Sequence, residues 1–123
     1  MLKILLVSPA RDHFSVFAAA LSSEAGVAVG WAESGKEALE IAGAERPHLV
    51  VIDDALADTA ALDLVAQLLT LDAMMNTAVV SEVPPEEFHA ASEGLGVMAQ
   101  LPPHPGRENA AETLASLKRL TGF

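Results

Sequence analysis

The chain has 123 residues; 51% are apolar, with four Phe, one Trp, no Tyr and no Cys. That is one domain's length, with apolar material for a full core, and it excludes intrinsic disorder, a disulfide scaffold and cysteine-based metal or thiol chemistry. Seventeen acidic against seven basic residues give a formal charge of −10, which opposes direct binding of nucleic-acid phosphates or anionic membrane surfaces.

The opening run Ile4-Leu5-Leu6-Val7 is too short for a signal-peptide core and meets Arg11-Asp12-His13 at once. No apolar run approaches the ~18 residues of a membrane span, so a soluble, cytoplasmic protein is expected. Leu2 to Val7 reads as a strand covered on both faces. Phe14, Phe17, Ala18 and Leu21 then fall at helical spacing, up to Gly26. Val27 to Trp31 is a second strand. Ser34-Gly35-Lys36-Glu37 has the form of a capping box and starts a second helix, with Ala38, Leu39, Ile41 and Ala42 on its apolar face. After Pro47, His48 to Ile52 is the most strand-like run, and it stops at Asp53-Asp54.

A third helix is predicted over Asp58 to Leu71, with Leu62, Val65, Ala66 and Leu69 facing the core. Leu64, Leu68, Leu71, Met74 and Met75 lie partly off that stripe, which implies either burial by a neighbouring loop or helix or an exposed patch for a partner. Thr77 to Ser81 is a fourth strand. Pro84-Pro85-Glu86-Glu87 starts a fourth helix, and Gly94 and Gly96 bracket its exit. Val97 to Leu101 is the fifth strand and Pro102 to Gly106 a rigid turn. Arg107 to Leu120 is the last helix, through Ala111, Leu114, Leu117 and Leu120. With 23 alanines and few aromatics, close helix packing is expected rather than large aromatic anchors.

Five βα units in one domain spanning residues 1–123 predict an α/β fold with a five-stranded parallel, doubly wound sheet in order 2-1-3-4-5. Ligands of such sheets sit at the carboxyl ends of the strands. Ser8-Pro9, Asp53-Asp54, Ser81-Glu82 and Pro102-Pro103-His104 should meet there. Asp54 is expected to alternate away from Asp53, and Asp12 to cap the first helix. His48 belongs at the opposite edge and His89 on the surface. His13 and His104, with Asp12 or Asp53, are candidate transition-metal ligands. Ser8, Asp53 and His104 form a nominal Ser/His/Asp set, but no G-x-S-x-G elbow, P-loop or dinucleotide fingerprint accompanies it, which argues against catalysis.

Along its whole length the sequence resembles a response-regulator receiver domain of the CheY-like family. Pro47-His48-Leu49-Val50-Val51-Ile52-Asp53 resembles the family's P-D-L-V-L-L-D, Lys3 to Val7 its first strand, and Glu33 to Leu39 its A-x-x-G-x-E-A-L. The resemblance implies a flavodoxin-like (βα)5 fold and makes Asp53 the candidate phospho-acceptor, with Ser81 as phosphoryl-binding hydroxyl. In the family two acids after the first strand join the acceptor in holding Mg²⁺, which neutralises phosphoryl oxygens during transfer. Those acids map onto Ser8 and Pro9, leaving Asp53 as the lone metal candidate. The family's Lys-Pro maps onto Pro103-His104, or onto His104-Pro105 with one inserted residue, so His104 is the candidate replacement for the cation. The strand-5 aromatic maps to Gln100, and the family's Pro and Gly near the third helix map to Ala57 and Ala61.

These departures imply a non-enzymatic signalling domain that works as a phospho-independent protein-interaction module, a pseudo-receiver. Its implied partners are a histidine kinase or other signalling proteins, with a homodimer as a further option. The resemblance places dimer and output contacts on helix 4, strand 5 and helix 5, where Phe88, Ala91, Ala111 and Ala115 would permit close approach. No cofactor is expected, and Mg²⁺ only if Asp53 is phosphorylated. Two alternatives remain. One is a working receiver phosphorylated on Asp53, using Ser81 and Glu82; the other is a flavodoxin-like domain binding a small molecule in a deep rim pocket.

Overall fold

The computed structural model describes Met1 to Phe123. Strands β1 (Leu2–Val7), β2 (Val27–Ala32), β3 (Leu49–Ile52), β4 (Asn76–Val80) and β5 (Ala99–Leu101) alternate with helices α1 (Ser15–Ser22), α2 (Gly35–Glu45), α3 (Ala61–Leu71), α4 (Pro85–Ala91) and α5 (Arg107–Thr121). All neighbouring strands are parallel, in the expected order β2-β1-β3-β4-β5. Such a sheet needs helical crossovers, and the alternation of elements supplies them.

The period-2 side-chain pattern of the strands divides the core into two layers. Ile4, Leu6, Leu49 and Val51 face α1 and α5, meeting Phe14, Phe17, Leu21, Leu114 and Leu117. Leu5, Val7, Val50 and Ile52 face the other way, onto α2, α3 and α4 through Ala38, Ala42, Leu64, Leu68 and Phe88. Each of the large apolar side chains so buried contributes roughly 1.5–3 kcal/mol. No helix is long and apolar enough to cross a membrane.

Two helices are rotated from their expected phase. On α3 the buried residues are Leu64, Val65 and Leu68; Leu62 and Leu69 are half-buried and Ala66 is exposed. Of the residues off the expected stripe, Leu64, Leu68 and Met75 are core, as the burial reading has it, while Leu71 and Met74 stay exposed. On α5 the buried set is Ala110, Thr113, Leu114 and Leu117, with Ala111 and Leu120 in solvent. Phe88, expected near an output surface, is buried.

The start of α3 also differs. Asp58 lies outside the helix and accepts the N–H groups of Gly35 and Lys36, both at 3.0 Å. It thus serves the first turn of α2, whose free N–H groups attract a carboxylate. Those two bonds hold its carboxyl below the usual carboxylate range. Ser34 caps α2 as expected by accepting the Glu37 N–H. The Glu37 carboxylate reaches back to the N–H of Glu33, one residue before the cap.

Candidate functional site at the carboxyl edge

Backbone pairing continues one residue past the strands. The Ser8 N–H donates to Ala32 and the Asp53 N–H to Val7. Because Val7 is in register with Ile52, Ser8 and Asp53 leave the sheet side by side. The Ser8 hydroxyl lies 2.7 Å from Asp53 Oδ2 and donates to it. Ser8 Oγ also accepts the Ala10 N–H, which shapes the turn after β1.

That turn leads into a 3-10 turn over Arg11–Phe14, anchored by the fully buried Phe14. Burying Phe14 aims its neighbour His13 back over the sheet edge. His13 Nδ1 stands 2.7 Å from the same Asp53 Oδ2. The remaining oxygen, Oδ1, accepts the Ala55 N–H at 3.3 Å. Asp12 lies within the 3-10 turn and makes no cap.

The electrostatics follow this geometry. Burial pushes the Asp53 carboxyl up, but the hydrogen bonds from Ser8, His13 and Ala55 outweigh it and hold the group below its ordinary value. The hydrogen bond to Asp53 raises His13, against a smaller loss of hydration; the charges of Asp53, Asp12 and Asp54 add to the rise. Both shifts favour an imidazolium–carboxylate pair. Asp54 moves upward, first through burial and then through Asp53 beside it. The expectation that Asp54 turns away is therefore wrong. The residue leaves β3 before strand alternation can act, and it lines the same cavity.

The cavity has a volume of about 180 Å³ and is lined by His13, Asp53, Asp54, Glu82, Pro103 and His104, with Phe14 and Val80 beneath. The His104 ring packs edge-on to His13, centroids 5.0 Å apart, on a backbone in the left-handed region (φ 50°) that a non-glycine residue rarely adopts. Ser81 stays outside this lining: its hydroxyl accepts the Val83 N–H at 3.3 Å. Gln100, in the strand-5 aromatic's position, donates its side-chain amide to the carbonyls of Ser81 and Val83. It ties down the β4–α4 loop, a role its sequence position did not suggest. The sequence brought His13 to the same rim as Asp53, forty residues away, as a candidate metal ligand; the structure joins the two as a direct pair instead.

The family's Mg²⁺ ligand set is not reproduced here, although Asp54 and Glu82 line the same cavity. Pro9 has no side-chain donor, Ser8 is neutral and committed to Asp53, and Asp53 Oδ2 already holds two partners. Nowhere do three His, Asp or Glu side chains gather closely enough to hold a metal ion. His13, His104 and Asp53 share the cavity without forming a ligand set. The nominal catalytic set fails as well, since Ser8 meets a carboxylate and no imidazole. The cavity is small for the small-molecule pocket considered above, below the ~300 Å³ at which ligand sites begin.

Sheet order, crossovers and a carboxylate at the end of β3 together define the receiver fold. Solved structures carry the same architecture. A receiver domain protein (CheY-like) from Methanospirillum hungatei matches with TM-score 0.85 and 20% identity over 99% of this chain and 98% of that one. The chemotaxis response regulator CheY4 of Vibrio cholerae matches at 0.82 and 19%, over 95% and 98%. The N-terminal domain of an uncharacterized protein from Wolinella succinogenes matches at 0.82 and 21%, over 98% and 97%. No protein-family model and no curated protein sequence matches the chain.

Proposed function

We propose that this chain is a cytoplasmic signalling domain of the receiver type that acts through protein contacts without phosphoryl transfer to Asp53 and without enzymatic activity. One observation carries the reading: both the Ser8 hydroxyl and His13 Nδ1 lie 2.7 Å from Asp53 Oδ2. A carboxylate attacks phosphorus with a free lone pair; Oδ2 has both of its own engaged, and Oδ1, which accepts only the Ala55 N–H at 3.3 Å, shares a charge that the contacts on Oδ2 already stabilise, which lowers its nucleophilicity. The family's two metal-binding acids are replaced by Ser8 and Pro9, and the other carboxylates of the cavity, Asp54 and Glu82, do not gather with Asp53 into a ligand set for the cation that neutralises an incoming phosphoryl group. Ser81, the candidate hydroxyl, lies outside the cavity lining, where it accepts the Val83 N–H, and Gln100 fixes the loop that a receiver would move. His104 is the remaining candidate for phosphoryl binding, since it lines the cavity. The partners in this reading are signalling proteins such as a histidine kinase.

The test is intact-mass spectrometry after incubation with acetyl phosphate and Mg²⁺, beside an Asp53→Asn control. The expected result is no adduct on either protein. A phosphoryl adduct on the native chain that is absent from Asp53→Asn refutes the proposal and makes Asp53 a working acceptor.

A further inference from the structure

At the amino edge of the sheet, opposite the Asp53 cavity, a groove of about 710 Å³ runs between the starts of β3 and β4, the α4–β5 loop and the end of α5. Leu69, Met75, Leu95, Leu120 and Phe123 line it, and Met74 stands at its rim. Met74 is 85% exposed, Leu120 63% and Phe123 59%, although solvent-exposed apolar side chains on a monomer are ordinarily scattered. The Phe123 ring rests edge-on against His48, so the far wall of the groove is an aromatic surface. A projecting, flexible methionine beside an apolar groove on one patch allows self-complementary pairing, in which a second copy across a two-fold axis would offer its Met74 to this groove and receive this one's in return.

Charge selects the same face. The loops of the carboxyl edge carry Asp12, Glu33, Asp53, Asp54, Asp58 and Glu82. Four of the seven basic residues, Lys3, Arg46, Lys118 and Arg119, lie instead at strand starts and helix ends of the amino edge. There they balance Glu24, Glu45, Asp72 and Glu93, and Arg46 pairs with Asp72. Two molecules of charge −10 approach with least repulsion through this neutral, apolar edge. We infer that it is the interface of a homodimer, with Met74 and Leu120 at its centre.

Sedimentation velocity of the native chain from micromolar to millimolar concentration, at low and high salt, tests this. A dimer is expected, tightened by salt because screening weakens the remaining −10 against −10 repulsion. Met74→Lys/Leu120→Lys should weaken it by more than about tenfold, since each lysine has to be desolvated at the interface. Both positions are exposed, and a lysine suits the last turn of α5, so the variant folds. It also makes the net charge less negative, so its loss of dimer cannot be general repulsion. Val16→Lys, at a 53% exposed position on α1, should leave the dimer intact. A monomer at every concentration, a dimer indifferent to the lysine pair, or one abolished by Val16→Lys overturns the inference.

Discussion

Ser8→Ala probes how Asp53 is held. Ser8 is fully buried and Asp53 only 3% exposed, and the 2.7 Å bond between them runs to an ionised acceptor. Hydrogen bonds to charged groups contribute roughly 1.5–3 kcal/mol. His13 remains on the same oxygen and Ala55 on the other, so the carboxylate is not orphaned, and a cost of about 2 kcal/mol is expected. The Ala10 N–H also loses its acceptor, but Ala10 is only half-buried and water can replace the bond. Urea unfolding near pH 6, followed by circular dichroism, measures the loss; in a domain of this size it corresponds to a fall in Tm of roughly 6–10 °C. Repeating the substitution in an Asp53→Asn background isolates the charge. A charge-assisted bond is roughly twice as strong as a neutral one, so Ser8→Ala should cost only about 1 kcal/mol there. An equal cost in both backgrounds, or a cost below about 0.5 kcal/mol with Asp53 present, refutes an ionised Asp53 gripped by Ser8.

The His13–Asp53 pair ties stability to pH. His13 is raised from about 6.5, so its contribution is complete below that value and is lost as pH rises through the folded pKa; Asp53 is depressed, so its contribution is complete above about 3.9 and is lost as pH falls through the folded pKa. Urea midpoints of the native chain should therefore decline on going alkaline of about pH 6.5, and His13→Gln should flatten that decline; an unchanged slope in the variant assigns the effect elsewhere. The phase of α3 is tested by Leu64→Ala, at a fully buried site, which should cost roughly 2–5 kcal/mol, whereas Ala66→Ser on the exposed face should stay within about 0.5 kcal/mol. Similar costs in thermal melts would contradict that phase. A Cβ on Gly35 would come within 2.5 Å of Thr59 Cγ2, so Gly35→Ala should cost roughly 1–3 kcal/mol, and Thr59→Ser, which removes that methyl, should restore part of it in the double variant.

Strands were the most legible part of the sequence. Runs such as Leu49 to Ile52 are buried on both faces, and continuous apolar character signals that directly. The phase of α3 was not legible because Leu62, Leu64, Leu68, Leu69 and Leu71 surround the helix, so several stripes satisfy helical periodicity. Packing against β3 and β4 chooses among them. The α5 reading holds at Leu114 and Leu117 and fails at Ala111 and Leu120 for a related reason: alanines sit at both positions 110 and 111, and burial falls on the first. Asp58 looked like helix because it precedes an apolar periodic run, while its partners, the N–H groups of Gly35 and Lys36, are distant in sequence. At the carboxyl edge the motif located Asp53, Ser81 and His104. Where their side chains point depends on the turn after β1 and on Gln100, neither of which leaves a periodic signal.

Carboxylates gathered around one cavity need compensating charge, because each disfavours ionisation of the next. The receiver resemblance assigns that compensation to Mg²⁺ and a lysine, set against three acids. In this chain Ser8 and Pro9 replace two of the acids, so there is less negative charge to neutralise. His13 supplies one positive charge against the one on Asp53, at 2.7 Å, and the upward shift of Asp54 moves that group towards its neutral form. A divalent ion entering here would have to displace His13 from Oδ2, and although Asp54 and Glu82 line the same cavity, they are not gathered with Asp53 closely enough to complete a site. Loss of the His13 proton, by contrast, removes the counter-charge without any ligand entering: Asp53 then keeps the Ser8 and Ala55 bonds but not the ion pair. The charge state of this edge is therefore coupled most directly to the protonation of His13, and a protein that docked over the cavity and desolvated the pair would be sensitive to the same proton.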